Sequence, residues 1–199
     1  GYELRDGRHL LTRAGMAVDV AERVMRSRRS GSGKTTLLRA MGHLWPAGHG
    51  SIRLPAARYL FLPQKPYLPI GTLREALSYP QAGDTYPNER YVHVLETCRL
   101  PHLVARLDEA NHWQRLLSPG EQQRLAFARA LIYAPQWLYM DEATSAMDEE
   151  DEASLYQALI DELPGLSIIS VGHRSSLKRF HPRHIRIENG RLVDQAVTA

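Results

Sequence analysis

Seven consecutive residues, Ser30-Gly31-Ser32-Gly33-Lys34-Thr35-Thr36, combine the parts needed to hold a polyphosphate. Glycines let successive backbone N–H groups converge on one anion, a lysine reaches the outer phosphates, and the hydroxyl that follows it can ligate Mg²⁺. A helix over Thr35 to Met41, stopped by Gly42, turns its positive end toward the same oxygens. A plain loop before a capped helix reads the same way, so the neighbouring segments must decide. The full pattern, GxxxxGK followed by Ser or Thr, asks for glycine at position 28, where this chain has Arg28. The strand feeding such a loop is ordinarily apolar on both faces, yet only Val24 and Met25 qualify before Arg26. A short or distorted strand is expected there.

A second reactive segment is Leu138-Tyr139-Met140-Asp141-Glu142, which sets two carboxylates at the end of a buried strand. Open α/β sheets bind ligands at that end of their strands. Asp141 suits an ion held through water, and Glu142 suits a base that orients and deprotonates a water attacking a γ-phosphate. Between the two segments, Leu117-Ser118-Pro119-Gly120-Glu121-Gln122-Gln123-Arg124 opens a helix: Ser118 caps it, Pro119 fits its first position, and Glu121 completes a capping box.

Such residues need a scaffold. Short apolar runs alternate with amphipathic stretches from Gly33 onward, the pattern of strands joined by helices in a mostly parallel sheet. Arg58 to Leu62 reads as a strand closed by Pro63, Trp137 to Met140 and Ser167 to Val171 as strands buried on both faces. Ile185 to Ile187 and Leu192 to Val193 flank Asn189-Gly190, a tight-hairpin dipeptide. Thr72 with Glu75 caps a short helix through Leu77, and Asn88 to Arg99 is expected to be a helix carrying Val92 and Leu95; both belong to a helical insert over roughly 66–135. Leu155, Tyr156, Leu159, Ile160 and Leu163 recur at helical spacing before Pro164-Gly165.

The order of these segments resembles the ABC transporter ATPase family over nearly the whole chain. Leu117 to Glu121 is similar to the family's LSGGQ signature, and Ser118 precedes Asp141 by 23 positions, as is usual there. Gln64 in Phe61-Leu62-Pro63-Gln64 matches the Q-loop glutamine, Ser145-Ala146-Met147-Asp148 the D-loop with Met for Leu, and His173 the switch histidine. FLPQKPY, GTLRE and LSPGEQQRLAFAR look like the peroxisomal fatty-acyl half-transporters (subfamily D) and their bacterial SbmA/BacA-like relatives, in which a membrane domain precedes the ATPase domain. Pro119 and Glu121 suit that branch; Arg28 departs from it.

The resemblance implies one ABC ATPase domain over 1–199, an α/β P-loop NTPase with a mainly parallel RecA-like core sheet, a small antiparallel β subdomain and the helical insert. It implies ATP and Mg²⁺ as cofactors. Ser30, Gly31, Ser32, Gly33, Lys34, Thr35 and Thr36 would cradle the phosphates; Thr35, Gln64 and Asp141 would hold the metal; Glu142, His173 and Gln64 would serve hydrolysis. Ser118, Gly120 and Glu121 would grip the γ-phosphate bound to the opposite subunit, and Asp148 would cross that interface. Tyr2 and His9 are the candidates for stacking on adenine. The implied partners are a second copy, in an ATP-sandwich homodimer, and a transmembrane domain fused N-terminally, which places the chain on the cytoplasmic face of the inner (plasma) membrane.

Bulk properties agree. The chain's 199 residues, 43% of them apolar, suffice for one α/β domain. A single cysteine, Cys98, excludes an internal disulfide and suits a reducing compartment. The longest apolar runs fall far short of the ~20 residues of a spanning helix, and GYELRDGRHLL has no secretory-signal organisation. A net charge of +3 is too mild to argue for nucleic acid, and the coiled-coil insertions or tandem ATPase domains of DNA- or ribosome-acting members are missing, so no nucleic-acid partner is expected. The competing reading is a degenerate, non-hydrolysing nucleotide-binding or regulatory module, spoiled by Arg26 and Arg28. Calorimetry on Arg28→Gly separates the two: nucleotide affinity is expected to change little, whereas a sharp rise would favour the degenerate module.

Overall fold

The computed structural model describes residues 2–3, 9–11, 16–27, 54–172, 174–188 and 191–195. The helix expected at Thr35 to Met41 and the Asn189-Gly190 turn lie outside them. In chain order the elements are β1 (Tyr2–Glu3), β2 (His9–Leu11), β3 (Arg23–Ser27), β4 (Tyr59–Leu62), β5 (Gly71–Thr72), α1 (Leu73–Ser78), α2 (Asn88–Thr97), β6 (Ala110–Asn111), α3 (Trp113–Leu116), α4 (Pro119–Tyr133), β7 (Trp137–Asp141), α5 (Glu149–Glu162), β8 (Ser167–Val171), β9 (Arg183–Glu188) and β10 (Arg191–Gln195). Turns of 3₁₀ helix occupy Pro101–Arg106 and Ser175–Phe180. The chain divides into two compact units, one of Gly1–Phe61, Gln136–Glu142 and Gly165–Ala199, the other of Leu62–Pro135 and Ala143–Pro164.

The first unit is built on a sheet of order β10-β9-β3-β8-β7-β4. β3 pairs parallel with both β8 and β9, β7 pairs parallel with β8, and β10 returns antiparallel beside β9. β1 and β2 form a separate antiparallel pair. Every residue of β7 and β8 is buried, which is why both read as nearly continuous apolar runs. Trp137, Tyr139, Ile169 and Val171 alternate onto one face, where Met16, Val18, Tyr59 and Phe61 pack against them. Burying one such side chain contributes about 1.5–3 kcal/mol. In the antiparallel β9–β10 pair Glu188 stands opposite Arg191 and Ile187 opposite Leu192.

β3 differs from expectation. It is neither short nor distorted, but runs unbroken through Arg26 to Ser27, with Arg23 to Arg26 opposite Ile168 to Val171 and Val24 to Ser27 opposite Arg183 to Arg186. Ladder hydrogen bonds come from the backbone, so a strand paired on both edges keeps its register past an arginine. The turn before it is tight: Ala21 has φ 64°, and its N–H is taken up by the buried Ser167 hydroxyl at 2.8 Å.

In the second unit α4 is the central element, with α1, α2 and α5 packed on it. Its residues from Leu125 to Ile132 are all buried, as befits a helix enclosed on several sides. Phe127 meets Tyr156 of α5 edge-on, ring centroids 5.9 Å apart. Arg129 is buried among them and donates to the carbonyls of Ala76 (2.6 Å) and Tyr67 (3.1 Å), with Tyr79 under its guanidinium. Burial pulls the guanidinium down to about 10, so it keeps its charge at neutral pH. Thr72 and Glu75 form the expected capping box of α1. The α2 helix ends at Thr97, two residues early, because Arg99 is turned to φ 57°. Its buried face is Tyr91, Val94 and Leu95, while Val92 is half-buried. Tyr91 owes its place to polar partners: its hydroxyl donates to the Gly83 carbonyl at 2.8 Å and meets the Ser78 hydroxyl at 2.6 Å.

The first unit also buries a histidine. His181 lies 2.9 Å from the Leu177 carbonyl through Nδ1 and 2.8 Å from the Ser170 hydroxyl through Nε2. A carbonyl only accepts, so Nδ1 carries the proton and the neutral ring accepts from Ser170 at Nε2. Burial, reinforced by His184 and Arg23 nearby, lowers the imidazole to about 4. The unfolded chain protonates it near 6.5, so this contribution to stability is complete above that pH and is lost as pH falls toward 4. Urea titrations between pH 7 and 4 are expected to show His181→Gln losing less stability than the parent, by about 1 kcal/mol or more. Parallel pH profiles would refute a neutral, buried His181.

Candidate functional site

Register across the central strands brings the sequence segments together. Arg26 of β3 stands opposite Val171 of β8, and Val171 stands opposite Asp141 of β7. The three parallel strands thus end within one residue of one another, at one edge of the sheet. With strands about 4.8 Å apart, the backbones at positions 26 and 141 are about 10 Å apart with β8 between them. β3 leads into the segment that holds Ser30 to Thr36, and β8 leads through Gly172 to His173. Ser30, Gly31, Ser32, Gly33, Lys34, Thr35, Thr36 and His173 themselves lie outside the described residues.

At that edge Asp141 is buried, and Glu142 adopts φ 51° while its N–H donates to the Val171 carbonyl at 2.9 Å. Left-handed backbone is uncommon for glutamate and costs about 1–3 kcal/mol. It breaks the two-residue alternation of β7, so Glu142 does not continue the strand's pleat after Asp141. Two consecutive carboxylates are thereby given different settings by backbone alone.

In the second unit, Ser118 adopts an extended cap conformation before Pro119. Its hydroxyl accepts from the Glu121 N–H (3.3 Å) and donates to Glu121 Oε2 (2.7 Å), and its own N–H donates to the same oxygen at 2.9 Å. His102 Nε2 lies 3.0 Å from the other carboxylate oxygen. Partial burial opposes ionisation of Glu121, but the bonds from Ser118 and His102 outweigh it and hold the carboxyl below its ordinary range. Gly120 lies against the turn that holds Ala146: a Cβ there would meet the Ala146 carbonyl at 3.0 Å.

Gln64 is exposed, and its side-chain amide points to the Ser145 hydroxyl at 3.4 Å. Asp148 caps α5, its Oδ1 accepting from the Asp151 N–H at 2.7 Å. Asp151 in turn binds Arg124 of α4 at 2.8 Å and Arg99 at 2.5 Å. Within this unit, therefore, Gln64, Gly120 and the segment from Ser145 to Asp148 are neighbours. Asp141 and Glu142 belong to the first unit, as do the strand positions of Tyr2 in β1 and His9 in β2.

A sequence model described as ABC transporter matches residues 27–145, more than half the chain. The chain belongs to the ABC transporter family. It is an ATP-binding domain of that family, and its relatives include subfamily D members. It is 47% identical over 161 residues to an uncharacterised ABC transporter ATP-binding protein of Haemophilus influenzae, covering 81% of this chain and 27% of the relative. It is 42% identical over 176 residues to the lysosomal cobalamin transporter ABCD4 of Homo sapiens (81% and 28%). With ABC transporter D family member 2, chloroplastic, of Arabidopsis thaliana, identity is 38% over 207 residues (79% and 29%). Among solved structures, a bacterial Atm1-family ABC exporter with ATP bound superposes with a TM-score of 0.84 at 25% identity, over 98% of this chain and 37% of that one. The chain thus spans roughly a quarter to a third of the length of the relatives it matches.

Two residues of the second unit receive no role from the sequence motifs, His102 and Gln123. His102 lies 19 positions before its partner Glu121, with no pattern linking them. Gln123 does leave a trace: it shares helical spacing with Phe127 and Ala130 on a buried face, an unusual place for an amide. The capping bonds also predict a stability effect. Ser118→Ala is expected to cost about 1 kcal/mol of unfolding free energy and Ser118→Thr less, since only threonine keeps the accepting oxygen. Equal urea midpoints for all three proteins would contradict the cap.

Proposed function

We propose that this domain binds ATP with Mg²⁺ and hydrolyses it, as one half of a homodimer that drives a solute across a membrane. The observation that supports the reading is that β3, β8 and β7 finish within one residue of one another at one sheet edge, in a chain of the ABC transporter family. Mg²⁺ fits the donors there. Of the two carboxylates Asp141 and Glu142, Asp141 is buried at the end of β7, while the backbone at Glu142 turns out of the strand. An ion that takes one or two carboxylates and completes its shell with phosphate oxygens and water suits that supply.

In this reading residues 1–199 act as one ATPase domain with a helical subdomain over roughly 66–135. Ser30 to Thr36 hold the triphosphate, Lys34 reaches its outer oxygens, and Thr35, Gln64 and Asp141 hold the metal. Ser118, Gly120 and Glu121 of a second copy close over the same phosphates with the positive end of their helix, while Asp148 lies at the junction of the copies. Bound Mg–ATP supplies a γ-phosphorus whose oxygens are partly neutralised. Glu142 orients the attacking water and takes its proton, and His173 steadies Glu142. Once the γ-phosphate has gone, Ser118 loses the anion that both copies share, and the copies part.

A transmembrane domain fused ahead of the chain would convert that opening into transport, with this domain on the cytoplasmic face of the membrane. Among the described residues no helix is long and apolar enough to span a bilayer. Glu142→Gln removes the base but keeps size and hydrogen bonding. Phosphate release is expected to fall by about 10² to 10⁴ while ATP-dependent dimerisation, measured by size-exclusion chromatography, persists. Undiminished turnover in that variant would remove Glu142 from its role, and failure of the parent to take up Mg–ATP in calorimetry would overturn the proposal.

A further inference from the structure

Gln123 is 98% buried on the second turn of α4, and its amide spans three segments. Nε2 donates to the backbone carbonyl of Gln64 at 2.9 Å and to the Ser145 hydroxyl at 3.1 Å. Oε1 accepts from the Ala146 N–H at 2.9 Å. The orientation is chemically determined, since turning the amide over would set its oxygen against a carbonyl and its NH₂ against an N–H. Both amide hydrogens and the oxygen are thus used, in a place where an unmet polar group is costly.

The geometry points to Gln123 as a positioning residue: it holds the Gln64 backbone and the Ser145–Ala146 turn to the helix that begins at Ser118. This rests on the ATPase reading above. There Gln64 faces the metal and the attacking water, Ser118 faces the phosphate held by the second copy, and Asp148 lies at the junction. One amide therefore ties the element sensing one nucleotide to the element gripping the other. Two neighbouring contacts reinforce the tie, the close approach of Gly120 to the Ala146 carbonyl and the Gln64 amide at the Ser145 hydroxyl. No atom of Gln123 is assigned to the nucleotide, so its loss should misplace reacting groups without removing a phosphate contact. Misplacement of about 1 Å can cost about 10²-fold in rate.

The test uses the intact protein that carries this chain, with three variants: Gln123→Leu, which keeps the volume and loses all three bonds; Gln123→Glu, which keeps an acceptor for Ala146 but loses donation to Gln64; and Ser145→Ala. Steady-state ATPase, Mg–ATP calorimetry and thermal melting are measured on each. Gln123→Leu is expected to lower kcat by about 10-fold or more while KM and the calorimetric Kd for ATP stay within about 3-fold. Gln123→Glu should lower kcat in the same direction, and it stands in if the leucine variant fails to fold. Adding Ser145→Ala to Gln123→Leu should cost less than the sum of the two single changes, because they break a shared bond.

Folded Gln123 variants with kcat within 2-fold of the parent would overturn the inference, as would full additivity of the double variant. A loss confined to melting temperature and ATP affinity would assign Gln123 a structural role only. If the parent itself neither binds Mg–ATP nor releases phosphate, the ATPase reading fails first, and the variants are not needed to show it.

Discussion

Parallel pairing of β3, β8 and β7 is the constraint on which the rest depends. A strand that must run the same way as its neighbour cannot return through a hairpin; the chain has to leave the sheet, cross back and re-enter at the starting end. Each crossing needs a dozen residues or more, and between β7 and β8 the chain uses them for a polar turn and α5. The same rule delivers all three strands to a common finishing edge. Whatever follows Ser27, Asp141 and Val171 begins there, however far apart those residues are in the chain. A buried strand also has to give up its apolar character at its end, and β7 does so by passing from Met140 to two carboxylates in succession.

The helical unit solves a different problem, that of fixing loops that have no ladder of their own. It does so with polar groups sunk among apolar ones. Arg129 reaches two carbonyls, Gln123 reaches three segments, and Asp151 is shared by Arg99 and Arg124. Left unmet, any of these groups would be costly in the interior, so each admits few alternative arrangements of the backbone around it. The first unit uses the same device where His181 meets Ser170 and where Ser167 receives the Ala21 N–H. Packing of aliphatic side chains supplies most of the driving force; these bonds set where the chain stops and turns.

Much of this could be read from residue order. Runs such as Trp137 to Met140 and Ser167 to Val171 announce buried strands because few other settings tolerate so little polarity. Both capping boxes are visible as a hydroxyl residue three positions before a glutamate, and both are formed. The antiparallel β9–β10 pair follows from a two-residue polar break between apolar segments. What escaped were features that depend on partners distant in the chain. Gln123 and Gln64 are 59 positions apart, and no spacing rule connects them. The continuation of β3 through Arg26 was hidden because the ladder is blind to side chains. The two-residue β5–β6 pairing is too brief to leave a pattern. Of the candidate site, Gln64, Ser118, Gly120, Glu121, Asp141, Glu142 and Asp148 are placed; the glycine-rich stretch and His173 are not among the described residues.

Ser118 has a consequence of its own. Its hydroxyl hydrogen is already spent on a neighbouring carboxylate, and that carboxylate is itself steadied by His102. An anion approaching the Ser118 hydroxyl must outcompete an internal negative charge for its hydrogen. The net attraction is therefore a difference between two charge-assisted bonds, smaller than either. In the proposed cycle, where that contact would be made and broken each time, such a grip would let go readily.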